Sequence, residues 1–262
     1  MILLDMVPQA EWTFWKWVEF FALDKWPEFL TGAGVTLLIS ITGTIVGFII
    51  GLLVAVFCKI PVKATDSFVK TAFIKFFKFL MQVYIEVFRG TPMIVQAMVI
   101  YYGTASIFHY SMNRLFAGIF IVSINTGAYL SEIVRGGIES IDKGQFEAAH
   151  TIGLRHGQMM RHIVLPQAIR NIMPAIGNEF VINIKDTSIL SVISVTELFF
   201  TSKSIAGTYY KYFETFIITS IIYFVLTFTV TRILRAIEKK MDGPSSYTML
   251  ENQDAAVIKE LD

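Results

Sequence analysis

Glu147-Ala148-Ala149-His150-Thr151-Ile152-Gly153, followed nine residues later by Ile163-Val164-Leu165-Pro166, forms a polar island between two long apolar segments. The spacing predicts two short helices with a break. Asp142 would cap the first, and Gln145 three residues on completes a capping-box pattern. Gly153 would end that helix in the left-handed conformation, which a residue without Cβ adopts at little cost. A second helix is expected from about His156 to Val164, stopping near Pro166. The small residues Ala148, Ala149 and Gly153 would let a partner surface approach closely.

Composition sets the solvent. Of 262 residues, 54% are hydrophobic and only 16% charged, and the mean hydropathy is +0.59. A soluble domain of this size would carry more charge, so a membrane protein is expected. The net charge of +1 gives no bulk field for nucleic acid. The single cysteine, Cys58, excludes an internal disulfide and a cysteine-based metal cluster. The first residues lack a basic region and a small-residue cleavage site, so no signal peptide is expected. Gly-x-x-x-x-Gly-Lys-Ser/Thr and His-Glu-x-x-His are both absent from the sequence. This chain should therefore not hydrolyse ATP itself.

Residues 1–28 hold Trp12, Trp15, Trp17 and Trp26. Phe14, Trp17, Val18, Phe20 and Phe21 share one side of a helical wheel, opposite Glu11, Lys16 and Glu19. An amphipathic helix lying in the membrane interface is expected there. Phe29 to Cys58 contains no charged residue. It exceeds the roughly 20 residues a helix needs to cross a bilayer, and is the first predicted span. Gly43, Gly47 and Gly51 recur every four residues, a stripe suited to close helix packing. Lys59 to Gln82 is basic. On a helix Lys63, Ser67, Lys70, Thr71, Lys75, Lys78 and Gln82 fall on one arc, suiting a topology anchor or a surface for anionic lipid.

The second span is expected at about Phe79 to Tyr102, disturbed where Pro92 follows Gly90-Thr91. The third is about Leu115 to Val134, with Asn125, Tyr129 and Glu132 on one face. After the polar island, at about 138–166, the fourth runs from about Ala168 to Val195 and the fifth from about Tyr212 to Ile237. Residues 29–240 thus form a membrane domain, and 241–262 a polar, flexible tail. The expected fold is an all-α integral membrane protein with five spans. Placing the island inside puts Lys59, Lys63, Lys70, Lys75, Lys78, Arg135, Lys143, Arg155, Arg161, Arg170, Arg232, Arg235, Lys239 and Lys240 on the inner side. Only Lys16, Lys25, Arg114, Lys203 and Lys211 remain outside. The positive-inside rule then sets the N-terminus outside and the C-terminus inside.

Glu-Ala-Ala, three residues, Gly, nine residues, Ile-x-Leu-Pro resembles the cytoplasmic coupling loop of ABC importer permeases. Phe88-Arg89-Gly90-Thr91-Pro92 with Gln96, Asn125 to Gly137, Gly144 to Ala149, Leu165-Pro166-Gln167-Ala168, Pro174, Lys185-Asp186-Thr187-Ser188 and Glu197-Leu198 are similar to the polar amino-acid branch of that family. This branch handles histidine, glutamine, glutamate, arginine, cystine and similar substrates. The likeness covers roughly residues 30–237. It implies a type I importer architecture, with a dimer of ATP-binding cassette ATPases holding ATP and Mg. It further implies a second, identical or homologous permease subunit and an extracellular solute-binding protein. The setting implied is a bacterial plasma membrane, and the chain itself would carry no cofactor. Gln145, Glu147, Ala148, Ala149, Gly153, Leu154 and Arg155 would face the ATPase.

Glu86, Arg89, Asn125, Glu132, Lys185 and Asp186 lie within predicted spans. A charge at the bilayer centre costs about 2.5–3.5 kcal/mol on insertion scales, so such groups face partners or water. Glu86 and Arg89 are three apart and share a helix face, which Met93 and Gln96 continue. Asp186 lies roughly 24 Å along a helix from Arg170, and Glu86 roughly 12 Å from Lys78. A shared mid-membrane cavity is therefore expected. Cargo with both charges wants a carboxylate, Glu86 or Asp186, and a donor, Arg89, Asn125 or Thr187. Thr91, Gln96, Tyr129, Lys185 and Ser188 complete the expected substrate path. His150, His156 and His162 share no helix face and read as loop surface.

Two other classes compete. An ion-coupled secondary transporter would use Glu86 and Asp186 as ion sites, but such folds usually show two related halves, and no internal repeat is visible. A non-transporting scaffold would use the buried charges structurally. The charges of Glu86, Arg89, Lys185 and Asp186 sum to zero and do not choose among substrates.

Overall fold

The computed structural model describes residues 11–62 and 67–241. Residues 1–10, Lys63 in the basic arc and the tail beyond residue 241 lie outside the described residues. Every regular element among them is helical. The uncharged run forms α2, Trp26–Cys58, with Pro27 in its first turn, where a missing N–H costs little. α2, α5 (Arg114–Glu139) and α10 (Tyr212–Met241) are each long and apolar enough to cross a bilayer. Two further helix pairs are bent at a short break, each a broken span or a re-entrant loop, which gives three to five spans.

The first pair is α3 (Phe68–Gly90) and α4 (Met93–Phe108), which meet at 114°. The disturbance expected at Pro92 is thus a full break. It also shows that the basic stretch and the second span are one helix. On that helix Lys75, Lys78, Gln82, Glu86 and Arg89 follow one stripe, with Lys70 at the far edge of the wider basic arc at 3.6 residues per turn.

The second pair corrects two expectations. Pro166 does not stop the helix: α7 (His156–Met159) runs through a π-helical turn, Met160–Val164, into α8 (Leu165–Asp186). Pro166 has no N–H, and its ring crowds the carbonyl four residues back. The wider turn takes up that misfit. The fourth span also changes form before its expected end near Val195. It tightens into a 3-10 helix, Thr187–Ile193, turns at Ser194 with φ 58°, and restarts as α9, Leu198–Tyr209. Glu197 caps α9, accepting from Phe199 N at 2.8 Å and Phe200 N at 2.7 Å.

α2 and α5 form the spine. A Cβ on Gly47 would come within 2.8 Å of Thr126 Cβ, and one on Gly51 within 2.8 Å of Ser131 N. The glycine stripe therefore brings two backbones together. Asn183 of α8 joins them, donating to Thr44 Oγ1 at 2.8 Å and accepting from Thr126 Oγ1 at 3.1 Å. The N-terminal α1 (Phe14–Asp24) turns Trp17, Phe20 and Phe21 onto Phe29, Leu198 and Ile205. Its apolar side is thus covered by protein.

Candidate functional site: a polar groove and an exposed loop

Hydrogen bonds close the loop's helix at both ends. Asp142 accepts from Gly144 N at 2.7 Å and starts α6, Lys143–Thr151. Gln145 is exposed and does not close the expected reciprocal box; its own N–H bonds Asp142 O at 3.0 Å. Gly153 takes φ +77°. Gly153 N donates to His150 O at 2.9 Å and Leu154 N to Ala149 O at 3.0 Å. This paired pattern is a Schellman motif, as the glycine predicts. Ala149 is buried, and Leu154 and Phe146 pack with Val134, Ile138 and Val164. Glu147, Ala148 and Arg155 face outward, and Arg155 N donates to Gln158 Oε1 at 3.0 Å. Ile152, at the tip, is 72% exposed. It escapes sequence reasoning because one apolar residue in a polar loop has no period.

A groove of about 490 Å³ lies between α2, α3 and α5, within the roughly 300–1,000 Å³ of small-molecule sites. Its walls include Cys58 of α2, Lys78, Gln82, Glu86 and Arg89 of α3, and Ser131, Glu132 and Arg135 of α5. An ionic ladder climbs one side. Lys59 meets Glu139 at 2.8 Å, Arg135 meets Glu139 at 2.7 Å and Glu132 at 2.9 Å, and Arg89 reaches Glu132 at 3.7 Å. Arg89 also lies over the Tyr129 ring, 5.6 Å from its centroid. Glu86 accepts from Gln82 Nε2 at 3.0 Å and has no ion-pair partner among the described residues. The groove thus offers one unpaired carboxylate near one loosely held guanidinium.

Other expected path residues do different work. Pro92 leaves the Phe88 carbonyl without its helical donor. Gln96 Nε2 fills that role at 2.9 Å, and it also reaches Thr91 O at 2.9 Å. Asn125 Nδ2 then holds Gln96 Oε1 at 2.9 Å. Thr91 Oγ1 donates to Val87 O at 2.8 Å. Thr91, Gln96 and Asn125 therefore satisfy the broken helix. On α8, Asp186 is half-buried and Lys185 exposed beside α10. Thr187 is buried and bonds Ile184 O at 3.0 Å; Ser188 bonds Lys185 O at 2.7 Å. The structure does not bring Asn125 or Asp186 to the groove that Glu86 and Arg89 line. Cys58, Lys59, Lys78, Gln82, Ser131, Glu132, Arg135 and Glu139 are wall or ladder residues outside the expected substrate path, and three of them carried a signal. Their signal was the spacing 132, 135, 139 along one helix.

Comparison with known proteins matches residues 67–243 to the family described as binding-protein-dependent transport system inner membrane component. The chain belongs to that family. The permease is 36% identical over 215 residues to the arginine transport system permease protein ArtQ of Bacillus subtilis, covering 82% of this chain and 93% of that one. It is 35% identical over 216 residues to the glutamine transport system permease protein GlnP of Escherichia coli, covering 82% and 93% respectively. A solved amino acid ABC transporter with histidines aligns at a TM-score of 0.73 and 35% identity, over 88% of this chain and all of that one. The MetNI methionine ABC transporter shares the fold, with a TM-score of 0.60 at 20% identity over 79% and 95%. The permease is thus a multi-pass, all-helical membrane protein of the type I ABC importer architecture.

Proposed function

We propose that this permease carries a polar amino acid inward across a bacterial plasma membrane, driven by ATP hydrolysed on a separate ATPase dimer. ATP and Mg belong to that dimer. The exposed face of the loop, Gln145, Glu147, Ala148 and Ile152, is where the ATPase docks, with the loop in the cytoplasm and the N-terminus outside. A second permease subunit, identical or homologous, completes the path, and an extracellular binding protein delivers the cargo. Substrate class rests on the relatives named for arginine and glutamine transport.

The observation that carries the reading is the loop itself. It is locked at both ends yet presents Ile152 to solvent, and its packing against Val134, Ile138 and Val164 ties it to the spans. Closure of the ATPase pair would move the helices behind it as a rigid body. In the groove, Glu86 would hold the cargo ammonium and Arg89 its carboxylate, each as a charge-assisted bond. Lys185, Asp186 and Ser188 would line the path where the second subunit meets α8, with Thr187 buried behind them. Family membership favours this class over an ion-coupled transporter. The test is uptake of labelled amino acids into vesicles holding the permease together with an ATPase and a binding protein of the same family of importers. ATP-dependent uptake is expected; uptake driven by a proton or sodium gradient without ATP would refute the reading.

A further inference from the structure

The first half of α3 points to a second kind of partner. Lys78 Nζ donates to Ile60 O at 2.7 Å, and Phe77 lies 6.3 Å from Phe57. These contacts fix residues 77–78 at the level where α2 ends. From there α3 continues back to Phe68, roughly 15 Å further at 1.5 Å per residue. Over that length Ile74 is its one buried residue. Phe73, Phe76 and Phe79 are 58%, 57% and 62% exposed and, with Val69, share one arc of the helix. Lys70 flanks that arc on one edge and Lys75 on the other. Both are exposed, and Lys75 makes no ion pair among the described residues.

An apolar arc bordered on both edges by lysines is the pattern of a helix seated in a membrane interface. Its rings enter the acyl boundary while the lysine stems lift their charges to the headgroups. Nothing acidic is interleaved from Phe68 to Ile85. We propose that this part of α3 is a docking surface for anionic lipid headgroups on the coupling-loop side, with Lys70 and Lys75 holding the phosphate. The proposal rests on membrane insertion and on no particular substrate.

Native mass spectrometry of the full-length permease, released from phosphatidylcholine nanodiscs containing a minor share of phosphatidylglycerol, tests it. The protein should retain phosphatidylglycerol several-fold above its bulk share. Lys70→Gln with Lys75→Gln should remove most of that enrichment, at about fivefold per lysine. Lys239→Gln with Lys240→Gln, on the same side of the membrane, should leave it intact. Absence of enrichment, an unchanged enrichment in the first variant, or an equal loss in the second would overturn the proposal. Should the first variant misfold, phosphatidylglycerol with a photoreactive headgroup decides on the unaltered protein. Labelling within residues 68–82 is expected, and labelling confined elsewhere would refute it.

Discussion

Gln96 shows how a polar residue inside a membrane can be structural. Its amide occupies the place left by the missing N–H of Pro92, and Asn125 fixes its orientation. Gln96→Leu should leave the Phe88 carbonyl only the longer bond from Asn125 Nδ2 at 3.4 Å, take away the amide that Asn125 holds, and cost about 1–3 kcal/mol. Thermal unfolding in detergent checks this, and an unchanged midpoint would return Gln96 to the list of path residues. Asp186 tests the opposite role. Lys185 and Asp186 form no ion pair with each other or with another described residue. As a path residue outside the groove, Asp186 would bond the cargo in transit, so Asp186→Asn should slow uptake by about ten- to a hundredfold, the worth of one charge-assisted bond. Adding Lys185→Met should not restore it. Recovered uptake in the double variant would make Asp186 a neutralising partner of Lys185 instead.

At the scale of elements, packing of α2 on α5 decides stability. Gly51→Val must push against the backbone at Leu130 and Ser131. A loss of about 1–3 kcal/mol is expected from such overpacking. Gly34→Val, at a glycine whose added Cβ meets nothing within 4 Å, should be close to neutral. Equal unfolding midpoints for the two variants would contradict the account. Much of this was legible in the sequence. The uncharged run from Phe29 gave α2, the four-residue glycine spacing gave its packing face, and Gly153 gave the left-handed turn. α9 was not legible, because Leu198-Phe199-Phe200 continues the apolar character of the span before it. The turn at Ser194 leaves no mark in hydropathy. In the site, Glu86 and Arg89 were legible as neighbours from their spacing alone. The approach of Arg89 to Glu132 was not, since it depends on how α3 lies against α5. Asn125 misled for the same reason: polarity inside a span reports a partner without saying whether that partner is cargo or backbone.

For the whole molecule, the groove and the loop must belong to one machine with two separable ends. Cys58 gives access to the first, being the sole cysteine and part of the groove wall. A charged, membrane-impermeant thiol reagent should label it from the loop side of sealed vesicles. Labelling from the opposite side alone would invert the proposed orientation. The other end is the loop, where Gly153→Val strains a left-handed residue by about 1 kcal/mol or more and Glu147→Lys reverses an exposed charge. Neither touches the groove, so Cys58 labelling should be unaltered in both. The most direct test measures complex yield, ATP hydrolysis and amino-acid uptake together for these two variants beside the unaltered protein. Coupling through the loop predicts normal insertion with weakened ATPase association, or hydrolysis that no longer drives uptake. Normal complex yield and normal uptake in both variants would contradict it.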